Sequence, residues 1–327
     1  MKNPFDLNQV LVVTTRKGVW GSAPMEVFPN QLLTRKLRQD LHSTHWLNSI
    51  GLFLQCLLWV WMRKPAVILV GTAVTVGVWL RKFKSWGLVP AKLVLHNRHY
   101  RPITSGAADL VIHDSTHEVE VYGKEDDPHK HVYVPYCMEY WKEPEPDVSL
   151  PDGVQEPFFL STGSAGRDYS VLDRASSGAA IQGVVTAQLR DSVTERYVFG
   201  DHIQSYYNLP EDIFQKLLRS CSFVVVGLKR DPYHMGGGST VLKALQHGKP
   251  IITEPYHRDY VTHQHSGLLI NTSDESELKQ AIHTLCSHPE LLKTYSENAL
   301  QDGRGFSYQR FVDDLQPLLR QVAVREP

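Results

Sequence analysis

Short runs of β-branched and aliphatic residues recur along this chain, and segments with helical spacing lie between several of them. Residues 66–71 (AVILVG) and 92–96 (KLVLH) have the length of strands, whereas residues 28–41 place leucines at helical intervals. Strands that are apolar on both faces are typical of a parallel sheet covered by helices on its two sides. The pattern therefore predicts alternating strands and crossover helices, the doubly wound α/β arrangement.

A proline-rich, acidic segment at residues 142–157 (KEPEPDVSLPDGVQEP) interrupts this alternation. The same pattern resumes after it, beginning with residues 158–163 (FFLSTG), and a chain of 327 residues is long enough for two domains. We therefore predict two doubly wound domains with a linker between them, at residues 1–145, 146–157 and 158–327. Such sheets bind ligands at the carboxyl ends of their strands, so the cleft between the domains is the expected site.

Charge divides the chain into two unequal parts. Residues 1–105 contain 14 Lys and Arg against 3 Asp and Glu, although the net charge of the whole chain is −1. A basic region of this kind attracts nucleic acid, an anionic membrane or an anionic small substrate. The sequence shows no signature of an RNA-binding or DNA-binding fold, and we therefore do not expect a nucleic-acid partner.

Aromatic residues are concentrated in the same basic region, because six of the seven tryptophans precede residue 90. Residues 79–86 (WLRKFKSW) alternate aromatic with cationic side chains. This composition indicates contact with an anionic membrane interface, or with an anionic lipid-linked acceptor. The alternative is a helix whose aromatic rings pack in the core and whose charges face water.

The N-terminal residues and the cysteines indicate the cellular compartment of the protein. Residues 1–9 are polar and lack the pattern of a secretory signal, and the four cysteines are far apart in the sequence. We therefore expect free thiols and a cytoplasmic protein, located at the inner face of the membrane if it contacts lipid. Residues 50–62 are very apolar but shorter than the ~20 residues of a transmembrane helix. We interpret them as a buried helix, with a membrane-touching element as the alternative.

A glycine-rich loop gives the clearest indication of a ligand. Residues 236–240 (GGGST) follow a buried strand and precede an amphipathic helix. Glycines let a ligand approach the backbone, and the amides at a helix start form an anion site suited to phosphate. Lys229 on the preceding loop adds positive charge. The alternative is a flexible turn, and neither a Walker A loop nor a dinucleotide-binding GxGxxG is present.

Residues 238–252 (GSTVLKALQHGKPII) resemble the pattern of the glycosyltransferase group 1 family, in which a glycine-containing turn precedes LEAMAxGxPVI. Similar segments occur in the same order around it, at residues 158–175, 266–271 and 288–299. The resemblance covers about residues 155–305, and the N-terminal domain matches the family only in layout.

This resemblance implies a GT-B fold, with two Rossmann-like doubly wound domains facing a cleft, and transfer of a sugar from a UDP-linked or GDP-linked donor. It also implies that no metal ion or cofactor is needed, since Arg167 would neutralise the leaving diphosphate. The N-terminal domain would bind a glycan or glycolipid acceptor. The donor-binding residues implied are Gly18, Gly21, Gly163, Arg167, Lys229, Gly237, Gly238, Ser239, Thr240 and Lys243.

The family often has a histidine at the end of a strand of the first domain, and here this position corresponds to His96. An imidazole suits proton transfer near neutral pH, so His96 is the predicted catalytic residue, with His99 as the fallback. His113 ends another strand and is a less favoured candidate for contact with acceptor or donor. A purely structural role for these histidines is the alternative.

The chain departs from the family at three positions. Met235 and Lys243 stand where two glutamates are usual, and Ser164 replaces an arginine. Two other functions therefore remain open. One is a catalytically inactive scaffold or sugar-nucleotide sensor, and the other is a GT-B epimerase or hydrolase acting on nucleotide sugars.

Overall fold

A computed structural model of the chain divides into two compact units, one made of residues 1–140 and 307–327 and the other of residues 141–306. The structure describes residues 7–14, 31–33, 45–71, 73–96, 105–137, 148–163, 166–187, 197–229 and 236–324.

The first unit contains a six-stranded sheet in the order β2-β1-β3-β4-β5-β6, and every pairing in it is parallel. From β1 the chain first adds β2 on one side and then crosses back to add β3 on the other side, so that β1 lies between β2 and β3. The strands are β1 (Val10–Thr14), β2 (Gln31–Leu33), β3 (Val67–Val70), β4 (Lys92–His96), β5 (Leu110–His113) and β6 (His131–Tyr133).

One sequence prediction fails in this sheet. Leucine spacing predicted a helix over residues 28–41, but Gln31–Leu33 forms an edge strand beside Val12–Thr14. Pairing with an existing strand overrides a local helical pattern of this kind, since propensity is a weak prior.

Helices α1 (His45–Arg63) and α2 (Val74–Ser85) pack on the first sheet and on each other. Their inner side chains share one core with alternate residues of β1, β3 and β4, including Leu11, Ile68 and Leu93. The neighbouring residues of the same strands are also buried, as expected for a parallel sheet. A third helix, α3 (Thr116–Glu125), follows β5, and the Ser115 hydroxyl caps it by accepting from the Glu118 amide.

The second unit repeats this architecture with the sheet order β12-β11-β10-β7-β8-β9, again wholly parallel. From β7 the chain proceeds outward through β8 and β9, and then returns to the other side of β7 with β10. The strands are β7 (Phe158–Thr162), β8 (Gln182–Ala187), β9 (Ile203–Tyr207), β10 (Phe223–Val225), β11 (Ile251–Thr253) and β12 (Gly267–Leu269). The switch point therefore lies between β7 and β10.

Five helices accompany this sheet: α4 (Tyr169–Ser176), α5 (Glu211–Ser220), α6 (Gly238–Gln246), α7 (Glu275–Ser287) and α8 (Pro289–Arg304). Side-chain caps fix two of their starts. Asp168 accepts from the Val171 amide, and Asp274 accepts from the amides of Ser276 and Glu277. Aspartate is among the residues favoured at a helix N-cap for this reason.

The last helix, α9 (Tyr308–Val324), lies against β3 of the first unit. The predicted boundary of 158–327 for the second domain differs here, because the compact second unit ends at Phe306. The amphipathic pattern of residues 308–324 does not specify which unit the helix covers. Its buried residues are Phe311, Val312, Leu315, Leu319 and Val322.

None of the helices formed by the described residues is both long and apolar enough to cross a membrane. The predicted apolar helix at residues 50–62 lies within α1, with Leu52, Cys56 and Val60 buried against the sheet.

We expect Leu315→Ala to lower the free energy of unfolding by about 2–5 kcal/mol, because it empties a fully buried position. The exposed Arg320 on the same helix provides the control Arg320→Ala. Urea unfolding followed by tryptophan fluorescence tests the assignment of α9 to the first unit. The fluorescence reports mainly on this unit, because six of the seven tryptophans precede residue 90. A loss of overall stability with no change in the urea concentration at which the tryptophan fluorescence changes would contradict the assignment of α9 to the first unit.

Candidate functional site

The connections that follow β7 and β10 form the centre of the candidate site in the second unit. Arg167 and Leu228, one on each connection, form an antiparallel bridge. Beside it, the amide of Asp168 donates to the carbonyl of Gly227 at 3.2 Å. The two loops are therefore fastened together at the switch point, where doubly wound sheets bind their ligands.

Arg167 places a buried cation at this point. The residue is only 8% exposed. Its Nε donates to the carbonyl oxygen of Thr162 at 2.8 Å, and its Nη2 donates to Oγ1 of Thr240 at 3.3 Å. Burial lowers the pKa of the guanidinium, but arginine stays protonated in proteins. The site therefore holds a fixed positive charge out of water.

Two glycines leave room for this guanidinium. Gly163 has φ +110°, and a Cβ added there would lie 2.5 Å from Nη2 of Arg167. Gly237 has φ +95°, and its Cβ would lie 2.6 Å from Cγ1 of Val226 and 3.5 Å from Nη1 of Arg167. Both positions therefore require glycine, for backbone conformation and for space.

Helix α6 begins directly beside the cation. Gly237 is its N-cap in a left-handed conformation, and the first intrahelical bond runs from the amide of Val241 to the carbonyl of Gly237. The amides of Gly238, Ser239 and Thr240 precede this bond, and no side chain caps them among the described residues. Such amides and the helix dipole favour an anion, so the start of α6 is compatible with the predicted phosphate site, which stays a prediction.

The 3₁₀ turn after β11, Pro255–His257, contributes a histidine that sequence analysis did not identify. His257 is completely buried, and its Nδ1 lies 2.7 Å from Oγ1 of Thr253. Burial, and then the nearby charge of Arg167, lower the pKa of His257 to about 3. The imidazole is therefore neutral at physiological pH and adds no second charge beside the guanidinium.

Glu254 is a second residue that sequence analysis missed. It accepts from the amide of Thr272 at 2.7 Å and also from the Thr272 hydroxyl. That hydroxyl accepts from the amide of Leu228 at 3.0 Å. These bonds connect the ends of β10, β11 and β12. The available signal was the position of Glu254 immediately after a buried strand.

Two predicted donor-binding lysines have other surroundings. Lys243 lies on α6, but its Nζ is 3.6 Å from a carboxylate oxygen of Glu211 and 4.9 Å from the centre of the Phe214 ring. Its charge is therefore held against α5. Lys229 is exposed on the connection after β10, and its amide donates to the carbonyl of Gly166 at 2.8 Å.

The structure therefore brings together five predicted residues of the second unit: Gly163, Arg167, Gly237, Gly238 and Thr240, with Ser239 exposed at the helix start. Other residues considered in the sequence analysis lie outside the described part of the chain, namely Gly18, Gly21, His99, Ser164 and Met235.

In the first unit, His96 ends β4 and is 2% exposed. Its Nε2 lies 2.7 Å from Oδ1 of Asp114, which follows β5. A carboxylate in this position fixes the orientation of the imidazole, as in known acid–base sites. A shallow depression adjoins His96, and it is lined by Val70, Gly71, Val74, Gly77, Val78, Arg81 and Leu95.

A second pair of histidines lies at the next strands. Nε2 of His113 and Nδ1 of His131 are 2.7 Å apart, and Tyr122 stacks on His113. Nε2 of His131 lies 3.3 Å from Oδ2 of Asp126. Burial lowers the pKa of His113 to about 4, and it also lowers the pKa of His131. This packing supports a structural role for His113. Among the described residues, no group of His, Cys, Asp or Glu is arranged to bind a metal ion.

Comparison with known proteins agrees with this architecture. Residues 181–288 match the family model described as "Glycosyl transferases group 1". No curated protein resembles the chain closely enough in sequence to count as a relative.

Solved structures resemble the whole chain. HepE from Anabaena, determined in complex with UDP, matches with a TM-score of 0.67 at 14% identity, over 95% of this chain and 99% of HepE. Sucrose-phosphate synthase from Thermosynechococcus elongatus matches with a TM-score of 0.68 at 14% identity, over 96% and 88%. The lipopolysaccharide outer core galactosyltransferase WaaB matches with 0.60 at 9% identity, over 94% and 99%. The predicted GT-B fold is confirmed, and so, at the level of enzyme class, is the prediction of a glycosyltransferase.

We expect Gly237→Ala to destabilise the protein by about 1–3 kcal/mol, because alanine is strained at this φ and its Cβ meets Val226. Gly238→Ala is the matched control, since its Cβ meets nothing within 4 Å. Thermal unfolding of the two variants measures the contrast. Equal stabilities would show that the turn before α6 does not have this conformation.

Acid should destabilise the first unit through His113. Its pKa is about 4 when folded and 6.5 as the ordinary value, so the unfolded chain binds more protons between these values. The group's contribution is present above pH 6.5 and is lost as the pH falls towards 4, by about 3 kcal/mol in total. Urea unfolding at several pH values should show a flatter dependence for His113→Gln. The exposed His129 provides the control His129→Gln. If the free energy of unfolding of His113→Gln depends on pH as steeply as that of the wild type, the lowered pKa of His113 is contradicted.

Proposed function

We propose that this protein transfers a glycosyl group from a nucleoside-diphosphate donor, whose diphosphate binds between Arg167 and the start of α6. The observation that carries the proposal is a buried guanidinium 3.3 Å from Thr240, in the first turn of a helix that no described side chain caps. A fixed cation and aligned amides together form a site for a group with two negative charges.

The same groups supply a mechanism for breaking the donor's glycosidic bond. When the sugar leaves, negative charge develops on the nucleoside diphosphate. A positive charge that is already in place and out of water stabilises this charge without reorganisation. We therefore propose that Arg167 and the amides of Gly238 and Ser239 act in place of a metal ion, while neutral His257 adds no competing charge beside the guanidinium.

Uridine diphosphate is the donor nucleotide that we favour. HepE is described in complexes with UDP and with UDP-glucose, and the pneumococcal O-GlcNAc transferase GtfA in complex with UDP and GlcNAc. The GtfA match has a TM-score of 0.54 at 14% identity over 79% of this chain and 57% of GtfA. These relatives support a UDP-linked donor, with a GDP-linked donor as the alternative from the sequence analysis.

We further propose that the first unit binds the acceptor, a glycan or a lipid-linked sugar, beside His96. The bond between His96 and Asp114 would orient the imidazole for proton transfer or for hydrogen bonding to the acceptor. The adjoining depression combines apolar side chains with Arg81, which suits an acceptor with both apolar and anionic parts.

A protein that binds nucleotide sugars without turnover is the second candidate. Lys243 occupies a position where the family usually has glutamate, and its charge is held by Glu211 rather than by the start of α6. This arrangement removes one family contact to the donor while leaving the diphosphate site.

Arg167→Gln should weaken UDP binding about 10- to 100-fold, the value of one or two hydrogen bonds to a charged group. Arg174→Gln is the matched control, because Arg174 lies on the exposed side of α4 and pairs with Glu275. Isothermal calorimetry with UDP and GDP measures the affinities. Equal affinities of the two variants for UDP would contradict the proposed diphosphate site.

Turnover separates the two candidates. Release of UDP from a panel of UDP-sugars, measured with a mixture of glycan acceptors and with EDTA, should occur in the wild type and fall in His96→Gln. Tight UDP binding with no release of UDP on any combination would favour the binding protein.

A further inference from the structure

Helix α1 is apolar on two opposite sides. Its inner side chains, including Phe53 and Leu57, pack in the core of the first unit. Its outer side chains lie in water and are mostly apolar, with the exposed Gln55 among them: Leu54 and Leu58 are each 58% exposed, and Met62 is 67% exposed. A helix that only covered a sheet would carry polar residues on this outer side.

The outer side of α1 continues onto the segment that follows α2. Trp61 is 56% exposed, and its indole nitrogen donates to the carbonyl of Leu88 at 3.2 Å. Leu88 and Trp86 are also exposed. We call this surface the tryptophan face, formed by Leu54, Leu58, Trp61, Met62, Trp86 and Leu88. Contiguous exposed apolar surfaces of this kind mark interaction sites.

Positive charge surrounds the tryptophan face. Arg63 and Lys64 follow its α1 residues directly and are exposed, and Nζ of the exposed Lys82 lies 5.2 Å from the centre of the Trp86 ring. By contrast, Lys84 and Lys92 pair with Asp109 at 3.2 and 3.6 Å.

Negative charge is missing from this part of the sequence altogether. No Asp or Glu occurs between Asp40 and Asp109, a stretch that includes all of α1 and α2. A second copy of the chain would bring a rim of the same sign against this one, which disfavours self-association through the face. A partner that complements this face has an anionic surface and an apolar interior.

We propose that the tryptophan face docks on an anionic lipid bilayer. Leucine and methionine side chains would enter the acyl region, Trp61 and Trp86 would lie at headgroup level, and Arg63, Lys64 and Lys82 would meet lipid phosphates. The proposal does not depend on the glycosyltransferase activity, since no residue of the nucleotide site takes part in it.

The structure changes which residues form this surface. For residues 79–86 the sequence left open contact with a membrane or an acceptor and, as the alternative, a helix whose aromatic rings pack in the core. Trp79 and Phe83 follow this alternative, because they pack edge-on against Phe53 at 5.4 and 4.9 Å between ring centres. Of that segment only Trp86 belongs to the tryptophan face, and Lys82 lies beside it. The apolar part of the surface comes from α1.

Co-sedimentation of the full chain with vesicles tests the proposal. One set of vesicles is pure phosphatidylcholine, and in the other phosphatidylglycerol makes up about a third of the lipid. We expect binding to the anionic vesicles only, weakened by salt. Leu58→Glu should lower the partition coefficient about tenfold or more, and Lys82→Glu should lower it by a similar factor. The control is Leu300→Glu, an exposed leucine of the second unit, which should bind like the wild type.

Three results would overturn the proposal. The first is a wild type that ignores anionic vesicles, and the second is equal binding by Leu58→Glu and Leu300→Glu. The third is a wild-type dimer in sedimentation velocity that Leu58→Glu converts to monomer without any vesicle binding, which would make the face a protein interface. Circular dichroism checks folding, and Met62→Ser with Lys82→Glu replaces Leu58→Glu if that variant does not fold.

Discussion

The burial of one guanidinium is the constraint on which the binding edge of the second unit depends. A charge out of water persists only where hydrogen bonds replace its hydration, and Thr162 and Thr240 provide them for Arg167. The same burial explains why Gly163 has no side chain, and the charge of the guanidinium adds to the effect of burial that keeps His257 neutral. The loops after β7 and β10, the start of α6 and the end of β11 are therefore parts of one arrangement around a single cation.

Much of the fold could be predicted because buried parallel strands leave a strong signal in sequence. The apolar runs that became β3 and β4 were identified with nearly correct bounds, and a helix was predicted directly after the glycine-rich loop, where α6 begins. Sheet order could not be derived, since local pattern does not specify which strands pair. The helix predicted over residues 28–41 failed for that reason, and the partner of α9 was missed because an amphipathic helix does not encode the surface that it covers.

The candidate site was predictable where a motif concentrates several residues in one segment, as at residues 236–240. Arg167 was found through resemblance, and the structure places it against that segment. His257 and Glu254 were not found, because a single polar residue after a strand has no spacing that distinguishes it. Lys243 was assigned to the donor by its position along α6, but the rotation of the helix directs its charge to Glu211.

The position of α9 has a consequence for how the chain matures during translation. The first unit begins at the N-terminus but is completed only by residues 307–327, after all of residues 141–306 have been made. At ~5–20 residues per second, the ribosome takes roughly ten to thirty seconds over that interval. During this time the nascent first unit lacks the amphipathic helix that lies against β3, so the order of synthesis favours early folding of the second unit and later completion of the first.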